Sequence, residues 1–520
     1  MYRRLCVLQT RVSKRSYAST SASHLDKWPG WETVIGIEVH AQIKSRSKLF
    51  SESLNSNDEP PNTHVSLFDA AFPGTLPRLN KYCVDLAIRT ALALNATVQP
   101  KSAFDRKHYF YRDLPSGYQI TQNYAPLATG GFLYLDKAQR RVGLKQIQLE
   151  QDTAKSTYEQ SLGATQIDLN RAGAGLMEIV SNPDMRSPEE AAAYVRTLQA
   201  LLRSVGASDG NMEQGSLRCD VNVSVNRAGE PFGTRCEIKN LNSIKAVQVA
   251  ITSEVYRHID LIERGLPVPQ ETRGFDEERA ETFKLRSKED APDYRYMPDP
   301  NLPPVLITEG HVDKVRQAMP ELPSALSTRL QNDYGLTERQ AEVLMSVDSG
   351  VNIGYDGEVA PPGAVPYFEE VAKGRDPKVV VNWITQELLA QLSRLDEPFS
   401  ANPIPPSALG ELIDLLQAGE ITGTSAKTLI RRIFNLPPST EPLSSMSKLV
   451  DDLGLRATSS DLQSLCEQAI SLLPAEAELV RKGNEKVLMK IVGQVMKLSK
   501  GTADGKAARA LLHKLLKTED

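Results

Sequence analysis

A carboxylate and an imidazole stand two residues apart near the beginning of the chain, at Glu38 and His40. Four of the residues from 34 to 39 are β-branched, which favours an extended strand. Side chains alternate between the two faces of a strand, so Glu38 and His40 point the same way. The pair could bind a divalent cation or transfer a proton. Alternatively, it is two polar residues on a half-exposed edge strand.

Four further polar clusters follow in strand-like and turn segments, at 105–122, 148–155, 168–178 and 212–222. Their candidate residues are Arg106, Lys107 and Tyr111, then Glu150 and Asp152, then Asn170, Arg171 and Glu178, and finally Glu213, Arg218, Asp220 and Asn222. Taken singly, each cluster is explained by turn capping and surface solvation. Together they supply the oxygen ligands and cations that phosphoryl transfer from a magnesium nucleotide requires.

Common nucleotide and nucleophile motifs are missing from the sequence. It contains no P-loop, no kinase signature, no G-x-G-x-x-G after a strand and no G-x-S-x-G elbow. An ATP site in this chain would therefore be of an uncommon kind.

The elements that must position these residues mix strands with a few helices. Helical periodicity predicts helices over 82–96, 188–202 and 243–264, the second with Ser187 as N-cap. The stretch 219–225 alternates apolar and polar residues, which predicts a half-buried strand. Strands without regular βαβ alternation favour an α+β domain with a mainly antiparallel sheet.

Composition indicates a globular protein of two to four domains. The 520 residues are 40% hydrophobic and 24% charged, and no apolar run is long enough to span a membrane. Five scattered cysteines without a C-x-x-C pair argue against a zinc site and for a reducing compartment. Because the net charge is −4, nucleic acid would have to bind a local basic patch.

The two ends of the chain differ from the middle. Residues 1–25 are rich in Arg and Ser and carry no acid, which is typical of a mitochondrial transit peptide; a basic arm that touches nucleic acid is the alternative. We expect a catalytic domain over 26–305, a helical domain over 306–440 and a tail domain over 441–520, with a linker at 436–442. Residues 481–520 hold ten Lys or Arg against four acids, which indicates either a solvated face or an RNA contact.

The chain resembles the B subunits of the aspartyl/glutamyl-tRNA amidotransferases, the GatB family, in a mitochondrial form. The matching stretches include Glu32-Thr-Val-Ile-Gly-Ile-Glu-Val-His40, Asp105-Arg-Lys-His-Tyr-Phe-Tyr111, Gly117-Tyr-Gln-Ile-Thr-Gln122, Asn170-Arg-Ala-Gly173, Gly215-Ser-Leu-Arg-Cys-Asp-Val-Asn222 and Glu237-Ile-Lys-Asn-Leu-Asn-Ser243. With weaker matches further on, they follow the family's order from residue 32 to past residue 500.

The resemblance implies a cradle-like catalytic domain followed by all-α helical and tail domains. It also implies a ligase that uses ATP and Mg²⁺ in the mitochondrial matrix. The γ-phosphoryl of ATP is transferred to the glutamyl side chain of Glu-tRNA(Gln), and ammonia from a glutaminase A subunit then yields Gln-tRNA(Gln). A small C-type third subunit, or a fungal equivalent, completes the complex with tRNA(Gln).

The resemblance also implies roles for individual residues. Catalytic residues are His40, Glu150 and Glu178, and metal ligands are these three with Glu38. Contacts to ATP or substrate are expected from Arg106, Lys107, Tyr111, Asn170, Arg171, Glu213 and Arg218. Lys497, Lys500 and Lys506 are the expected tRNA contacts in the tail.

The sequence departs from the family's pattern at 148–155, where Gln151 stands in place of a usual glutamate. If that glutamate were the metal ligand, Gln151 would supply a neutral oxygen and weaken cation binding. The alternative function is therefore an RNA-binding scaffold of the same fold that has lost phosphorylation.

Overall fold

The computed structural model describes residues 27–517 except 56–58, 136–139, 288–292, 349–353, 359–362, 436–444, 458–461 and 500. The expected transit segment and the linker at 436–442 therefore lie outside the described residues. Across the described part, no helix combines the length and apolar character that crossing a membrane requires.

A large, mostly antiparallel sheet dominates the first half of the chain. The strands are β1 Trp31–Gln42, β2 Thr97–Val98, β3 Lys101–Ser102, β4 Asp105–His108, β5 Tyr118–Thr121, β6 Ala128–Thr129, β7 Phe132–Tyr134, β8 Arg141–Gln151, β9 Lys155–Glu159, β10 Ala164–Asp168, β11 Gly175–Ser181, β12 Leu217–Arg227, β13 Cys236–Leu241, β14 Glu271–Asp276, β15 Glu281–Ser287, β16 Met297–Pro298 and β17 Val305–Leu306. The large sheet runs in the order β15-β14-β13-β12-β1-β11-β8-β6-β2, with β7 also paired to β8. Only β13 and β14 pair in parallel among its described strands. The predicted α+β class is confirmed.

Helices cover one face of this sheet and make up the second half of the chain. They are α1 Lys81–Ala93, α2 Pro188–Ser204, α3 Ile244–Glu263, α4 Glu309–Gln317, α5 Pro323–Tyr334, α6 Glu338–Asp348, α7 Ala364–Ala372, α8 Pro377–Asn382, α9 Leu389–Leu395, α10 Pro406–Gln417, α11 Gly423–Phe434, α12 Met446–Asp452, α13 Leu462–Leu472, α14 Pro474–Arg481, α15 Glu485–Leu498 and α16 Gly505–Lys517, with a π-helical turn at Trp383–Leu388. The three predicted helices are confirmed. Ser187 and Ser243 cap α2 and α3 by accepting hydrogen bonds from the third following backbone N–H.

Alternation along β1 separates the apolar core from the polar residues. Ile35, Ile37 and Val39 point to the helical side and are fully buried or nearly so. Glu38 and His40 stand on the opposite face and keep partial exposure. The apolar side of β1 packs against α1, α2 and α3. The hydrophobic free energy of this burial fixes the register of the strand.

The strand predicted at 219–225 forms within β12, but it is more than half buried. Asp220 and Ser224, at polar positions of the pattern, are only 7% and 6% exposed. β12 is an inner strand, paired with β1 on one side and β13 on the other, so cross-strand neighbours flank its polar positions. Asp220 compensates its burial by pairing with Lys239 on β13, 2.7 Å away.

An ion-pair network ties α3 to the outer strands. Glu254 is fully buried, and its carboxylate lies 2.9 Å from His258 Nε2 and 3.2 Å from Arg273 Nε. Arg257 and the Thr282 hydroxyl also donate hydrogen bonds to it. Although burial alone would raise the pKa of Glu254, the bonds from His258 and Arg257 hold it well below its ordinary value.

Buried apolar residues form three separate clusters. The first runs from Trp28 to Val315, the second from Leu330 to Leu455 and the third from Cys466 to Leu516. The second and third touch where the Thr422 hydroxyl, at the N-cap of α11, donates a hydrogen bond to the Gly501 carbonyl, 2.6 Å away. The domain boundaries expected at 305 and 440 stay predictions.

Candidate active site

Three neighbouring strands bring His40, Glu150 and Glu178 together on the polar face of the large sheet. His40 on β1 is the direct cross-strand partner of Glu178 on β11. Glu150 on β8 lies opposite Leu176, two residues from Glu178 and on the same face. One ligand atom from each of the three side chains lies within 4.8 Å of the others. We call these three residues the triad.

Two carboxylates in close contact dominate the electrostatics of the triad. Burial, together with the charge of Glu150 and a hydrogen bond to it, raises the pKa of Glu178 well above its ordinary value. The Gln148 amide, directly across the strand pair, donates a hydrogen bond to Glu178 Oε2 at 2.5 Å. His40 Nε2 lies 4.0 Å from the same oxygen. A bound cation would relieve the repulsion between the two carboxylates.

Lys107 reaches the triad from a smaller sheet formed by β16, β4 and β5. Its Nζ lies 3.9 Å from Glu150 Oε1 and 5.0 Å from the centre of the Tyr294 ring. Burial lowers the pKa of Lys107, but the charges of Glu150 and Glu178 outweigh burial, so the pKa lies above its ordinary value. Lys107 therefore keeps its positive charge next to the Glu150 and Glu178 side chains.

Glu38 lies one step along the strand from the triad. It is opposite Asp220 on one side and Val180 on the other, and Asn222 Nδ2 donates to Glu38 Oε1 at 3.2 Å. Among the described residues the compact metal-ligand group holds His40, Glu150 and Glu178 but not Glu38. Glu38 therefore borders the triad without joining it.

Arg106 precedes Lys107 in β4, so its side chain points to the opposite face of the strand. There it pairs with Asp299, a residue that the sequence analysis did not single out. Arg106 Nε lies 2.7 Å from Asp299 Oδ2, and its guanidinium stacks on the Tyr118 ring at 4.2 Å. Asp299 is far away in the chain, so no local spacing could have identified this pair.

Arg171 and Arg218 both bind the buried carboxylate of Asp152. Arg171 Nε lies 3.6 Å from Asp152 Oδ2, and Arg218 donates a hydrogen bond to the same oxygen. Arg171 also donates to the Thr153 and Ala154 carbonyls. Both arginines thus hold the loop after β8 in the structure.

Three other expected contact residues make no hydrogen bond or ion pair with the triad among the described residues. Asn170 is buried, accepts a hydrogen bond from the His64 backbone and donates one to the Pro60 carbonyl, so it fixes a loop. Glu213 is exposed in a turn before β12. Tyr111 is 65% exposed.

The departure at Gln151 does not touch the triad. Gln151 follows Glu150 in β8, so its side chain points to the other face, and its buried Oε1 has no hydrogen-bond partner among the described residues. Glu150 supplies the carboxylate of the triad. The structure thereby removes the reason to expect a neutral ligand in this position.

The donor set of the triad fits a divalent cation. One imidazole and two carboxylates, with Glu38 next to them, match the mixed nitrogen and oxygen ligands of hard or borderline metals. Burial and the charge of Glu150 raise the pKa of Glu178, and a bound cation would offset both effects. A second group, Cys236, Glu254 and His258, is equally compact, but guanidinium groups already neutralise Glu254.

Two of the three tail lysines lie on exposed surface. Lys497 is in the last turn of α15 and Lys506 is in the first turn of α16. Lys500 lies outside the described residues. Basic residues at these positions form part of the positively charged end of an acidic protein.

Comparisons with known proteins assign the chain to a family. Residues 33–313 match the model of the GatB/GatE catalytic domain, and residues 366–516 match that of the GatB domain. The chain belongs to the GatB family, which confirms the resemblance seen in the sequence.

Similar proteins share nearly the whole length of the chain. The mitochondrial glutamyl-tRNA(Gln) amidotransferase B subunit of Laccaria bicolor is 54% identical over 99% of this chain and 97% of its own. The protein of the same name from Cryptococcus neoformans is 49% identical over 94% of each chain. The aspartyl/glutamyl-tRNA(Asn/Gln) amidotransferase B subunit of Granulibacter bethesdensis is 46% identical over 94% of this chain and 97% of its own.

Proposed function

We propose that this chain is the subunit of a glutamyl-tRNA(Gln) amidotransferase that activates the glutamyl side chain of mischarged tRNA. The observation that carries the proposal is the triad with Lys107 beside it, on the polar face of the sheet. The names of relatives that share nearly the full length of the chain support the same reaction.

The reaction needs a leaving group on a carboxylate. An oxygen of the glutamyl carboxylate attacks the γ-phosphorus of ATP, the bond to the β-phosphate oxygen breaks, and ADP leaves. Ammonia nitrogen then attacks the acyl carbon and expels phosphate, giving the amide. Two anions must approach in the first step, so the site has to neutralise charge.

Residues of this chain supply that neutralisation and hold the reactants. Lys107 faces the two carboxylates and is positioned to bind a phosphoryl oxygen. His40, Glu150 and Glu178, with Glu38 adjacent, would hold Mg²⁺, which supplies Lewis-acid stabilisation of phosphate oxygens when bound. As an alternative to ligating the cation, His40 takes up the proton that ammonia loses on amide formation. Arg106, Arg171 and Arg218 act indirectly, because each is paired with a carboxylate of the chain.

The partners and compartment follow from the same family. We propose a glutaminase A subunit as the ammonia source, a small third subunit and tRNA(Gln), which the tail binds through Lys497, Lys500 and Lys506. Relatives named as mitochondrial and the acid-free, basic first 25 residues support import into the mitochondrial matrix.

His40→Ala tests the proposal in the complex reconstituted with its partner subunits. We expect loss of γ-phosphoryl transfer from labelled ATP to Glu-tRNA(Gln), with tRNA affinity and assembly retained. The matched control is His311→Ala, a histidine on α4 that pairs with Asp85. Normal turnover by His40→Ala would refute the site. A wild-type complex that binds tRNA but forms no Gln-tRNA(Gln) would support the scaffold alternative.

A further inference from the structure

A short acidic turn between α6 and α7 lies against the catalytic domain. It consists of residues 354–358, which fall outside both matched family regions, 33–313 and 366–516. The N–H of Glu358 donates a hydrogen bond to the Tyr355 carbonyl at 3.0 Å, and Asp356 and Gly357 between them have left-handed φ values of 56° and 79°. This is a type I′ turn, which the sequence Asp-Gly favours. We call residues 354–358 the clasp.

The backbone of the clasp is hydrogen-bonded to the segment that continues β1. The Asp356 N–H donates to the Lys44 carbonyl at 2.9 Å, and Asp356 Oδ1 accepts a hydrogen bond from the Arg46 backbone N–H at 2.9 Å. The Asp356 side chain is only 17% exposed. Asp356 therefore anchors the clasp with both its main chain and its side chain.

The clasp and the surface under it carry opposite charges. Glu358 Oε1 lies 2.7 Å from Arg46 Nη2, and Asp356 Oδ2 lies 3.8 Å from Arg46 Nε. The ammonium group of Lys44 lies 4.8 Å from the centre of the Tyr355 ring. Because Arg46 and Glu358 are 57% and 60% exposed, salt screens their attraction, and charge reversal can open the contact without disturbing a core.

The fit of the clasp against α1 requires a glycine. A Cβ atom on Gly357 would come within 3.0 Å of the terminal guanidinium nitrogens of Arg89, a residue of α1. Together with the left-handed φ, this close approach makes glycine necessary at position 357. The turn is therefore shaped to fit this surface.

The clasp contacts the same chain segment that carries a member of the triad. Lys44 follows His40 by four residues, so the two lie no more than about 14 Å apart along the chain. The N–H groups of Gln42, Ile43 and Lys44 donate hydrogen bonds to the carbonyls of residues 216, 175 and 207, respectively. Neighbouring segments thus hold the backbone in place from the triad to the clasp, as coupling between two sites requires.

We propose that the clasp joins the helical half of the chain to the segment that carries His40, and so positions a tRNA held by the tail for reaction at the triad. Arg46 is a positioning residue, because it acts through the placement of the tRNA-binding half. Freedom between the two halves would lower the fraction of bound tRNA whose acceptor end reaches the triad. The inference rests on the proposed function, because it takes tRNA binding by the tail and amidation at the triad as given.

Charge reversal in the reconstituted complex tests the inference. Arg46→Glu faces the acids of the clasp with a like charge, and we expect kcat for amidation of Glu-tRNA(Gln) to fall about tenfold. The dissociation constant of the tRNA should stay at the wild-type value, because the tail contacts remain. Adding Glu358→Arg restores an ion pair of opposite polarity and should recover most of kcat. Arg316→Glu is the matched control, since Arg316 on α4 is also 57% exposed and pairs within its own helix.

Hydrogen exchange measures the clasp without any activity. The backbone amides of residues 46 and 356 should exchange faster in Arg46→Glu and regain protection when Glu358→Arg is added. Amides within β1 should keep their wild-type protection. If they do not, Glu358→Arg alone decides, because it makes the same repulsion from the clasp side and leaves β1 unaltered.

The outcomes separate the two proposals. Wild-type kcat in a variant whose two clasp amides are released overturns the inference and leaves the proposed function intact. Tighter tRNA binding in that variant also overturns it, since the clasp would then cover an RNA site. A wild-type complex that forms no Gln-tRNA(Gln) rejects the proposed function. In that case exchange decides the clasp: faster exchange in Arg46→Glu supports the contact, and equal exchange overturns it.

Discussion

His40 and Glu178 are direct cross-strand partners, and their Nε2 and Oε2 atoms lie 4.0 Å apart. Neither side chain is carried by a loop. Backbone hydrogen bonds between β1 and β11 therefore fix their separation before any ligand binds. This placement explains how a site without a phosphate-binding loop can still present its charges in a defined arrangement.

Glu178→Gln should lower activity and leave the metal-free protein at least as stable as the wild type. The pKa of Glu178 is raised in the fold, so its protonated carboxyl favours folding at low pH, and that contribution is lost as pH rises through the folded-state pKa. At pH 8 a buried glutamate in this position destabilises the fold, and glutamine removes that destabilisation. We therefore expect the variant to have an equal or higher unfolding temperature at pH 8. We expect turnover to fall about a hundredfold or more.

Magnesium provides the second measurement for Glu178→Gln. It should raise the unfolding temperature of the wild type at pH 8 and have a much smaller effect on the variant, because a ligand is gone. Full stabilisation of the variant by Mg²⁺ would exclude Glu178 as a ligand.

Lys107→Met should destabilise the metal-free protein by about 2 kcal/mol, because it leaves Glu150 and Glu178 without their nearest cation. Chemical denaturation measures the free energy of unfolding. Lys155→Met is the control, since Lys155 is exposed on β9. Added Mg²⁺ should recover part of the loss, as a second source of positive charge. Equal stability of the two variants would contradict the role of Lys107.

Glu254→Gln should cost about 3 kcal/mol of folding stability near neutral pH, since it breaks a buried ion-pair network. The pKa of Glu254 is held low, so its contribution is complete above the ordinary glutamate pKa and is lost as pH falls through the lower folded-state value. The difference in the free energy of unfolding between the variant and the wild type should therefore become smaller at acidic pH. Glu263→Gln, at the exposed end of α3, should match the wild type at every pH.

Lys497→Ala combined with Lys506→Ala should raise KM for tRNA about tenfold and reduce the salt dependence of tRNA binding by about 1.5 in the log–log slope. Both residues are exposed, so the fold should be unaffected. Lys378→Ala with Lys448→Ala, two exposed lysines of the second apolar cluster's helices, is the control. Point substitutions give a clearer test than truncation after Val480, which would remove eight of the twelve buried apolar residues described in the third cluster. An unchanged KM would refute the tail's role.

Local sequence was enough to predict much of the fold. Alternation alone placed Glu38 and His40 on one face, and Ser187 predicted the start of α2 because its hydroxyl satisfies a free backbone N–H. Both effects act within a few residues, so they can be read without knowledge of the tertiary structure.

The composition of the site could be predicted only in part. That His40 meets Glu178 depends on the strand order β12-β1-β11-β8, which no local pattern contains. Arg171 and Arg218 had the chemistry of phosphate ligands, but Asp152, brought near by the fold, binds both. Lys145 and Arg235, whose side chains have no ion-pair partner among the described residues, lay outside the clusters that the sequence singled out.

The alternation of apolar and polar side chains along β1 also limits which insertions and deletions this protein can tolerate. Shifting the strand by one residue would turn Ile37 and Val39 towards the polar face and Glu38 and His40 into the helical core. A single insertion or deletion between Trp31 and Gln42 would therefore disrupt the proposed cation site and the core packing together. We expect length variation to be confined to the connecting segments, while β1 tolerates substitution but never a change in residue number.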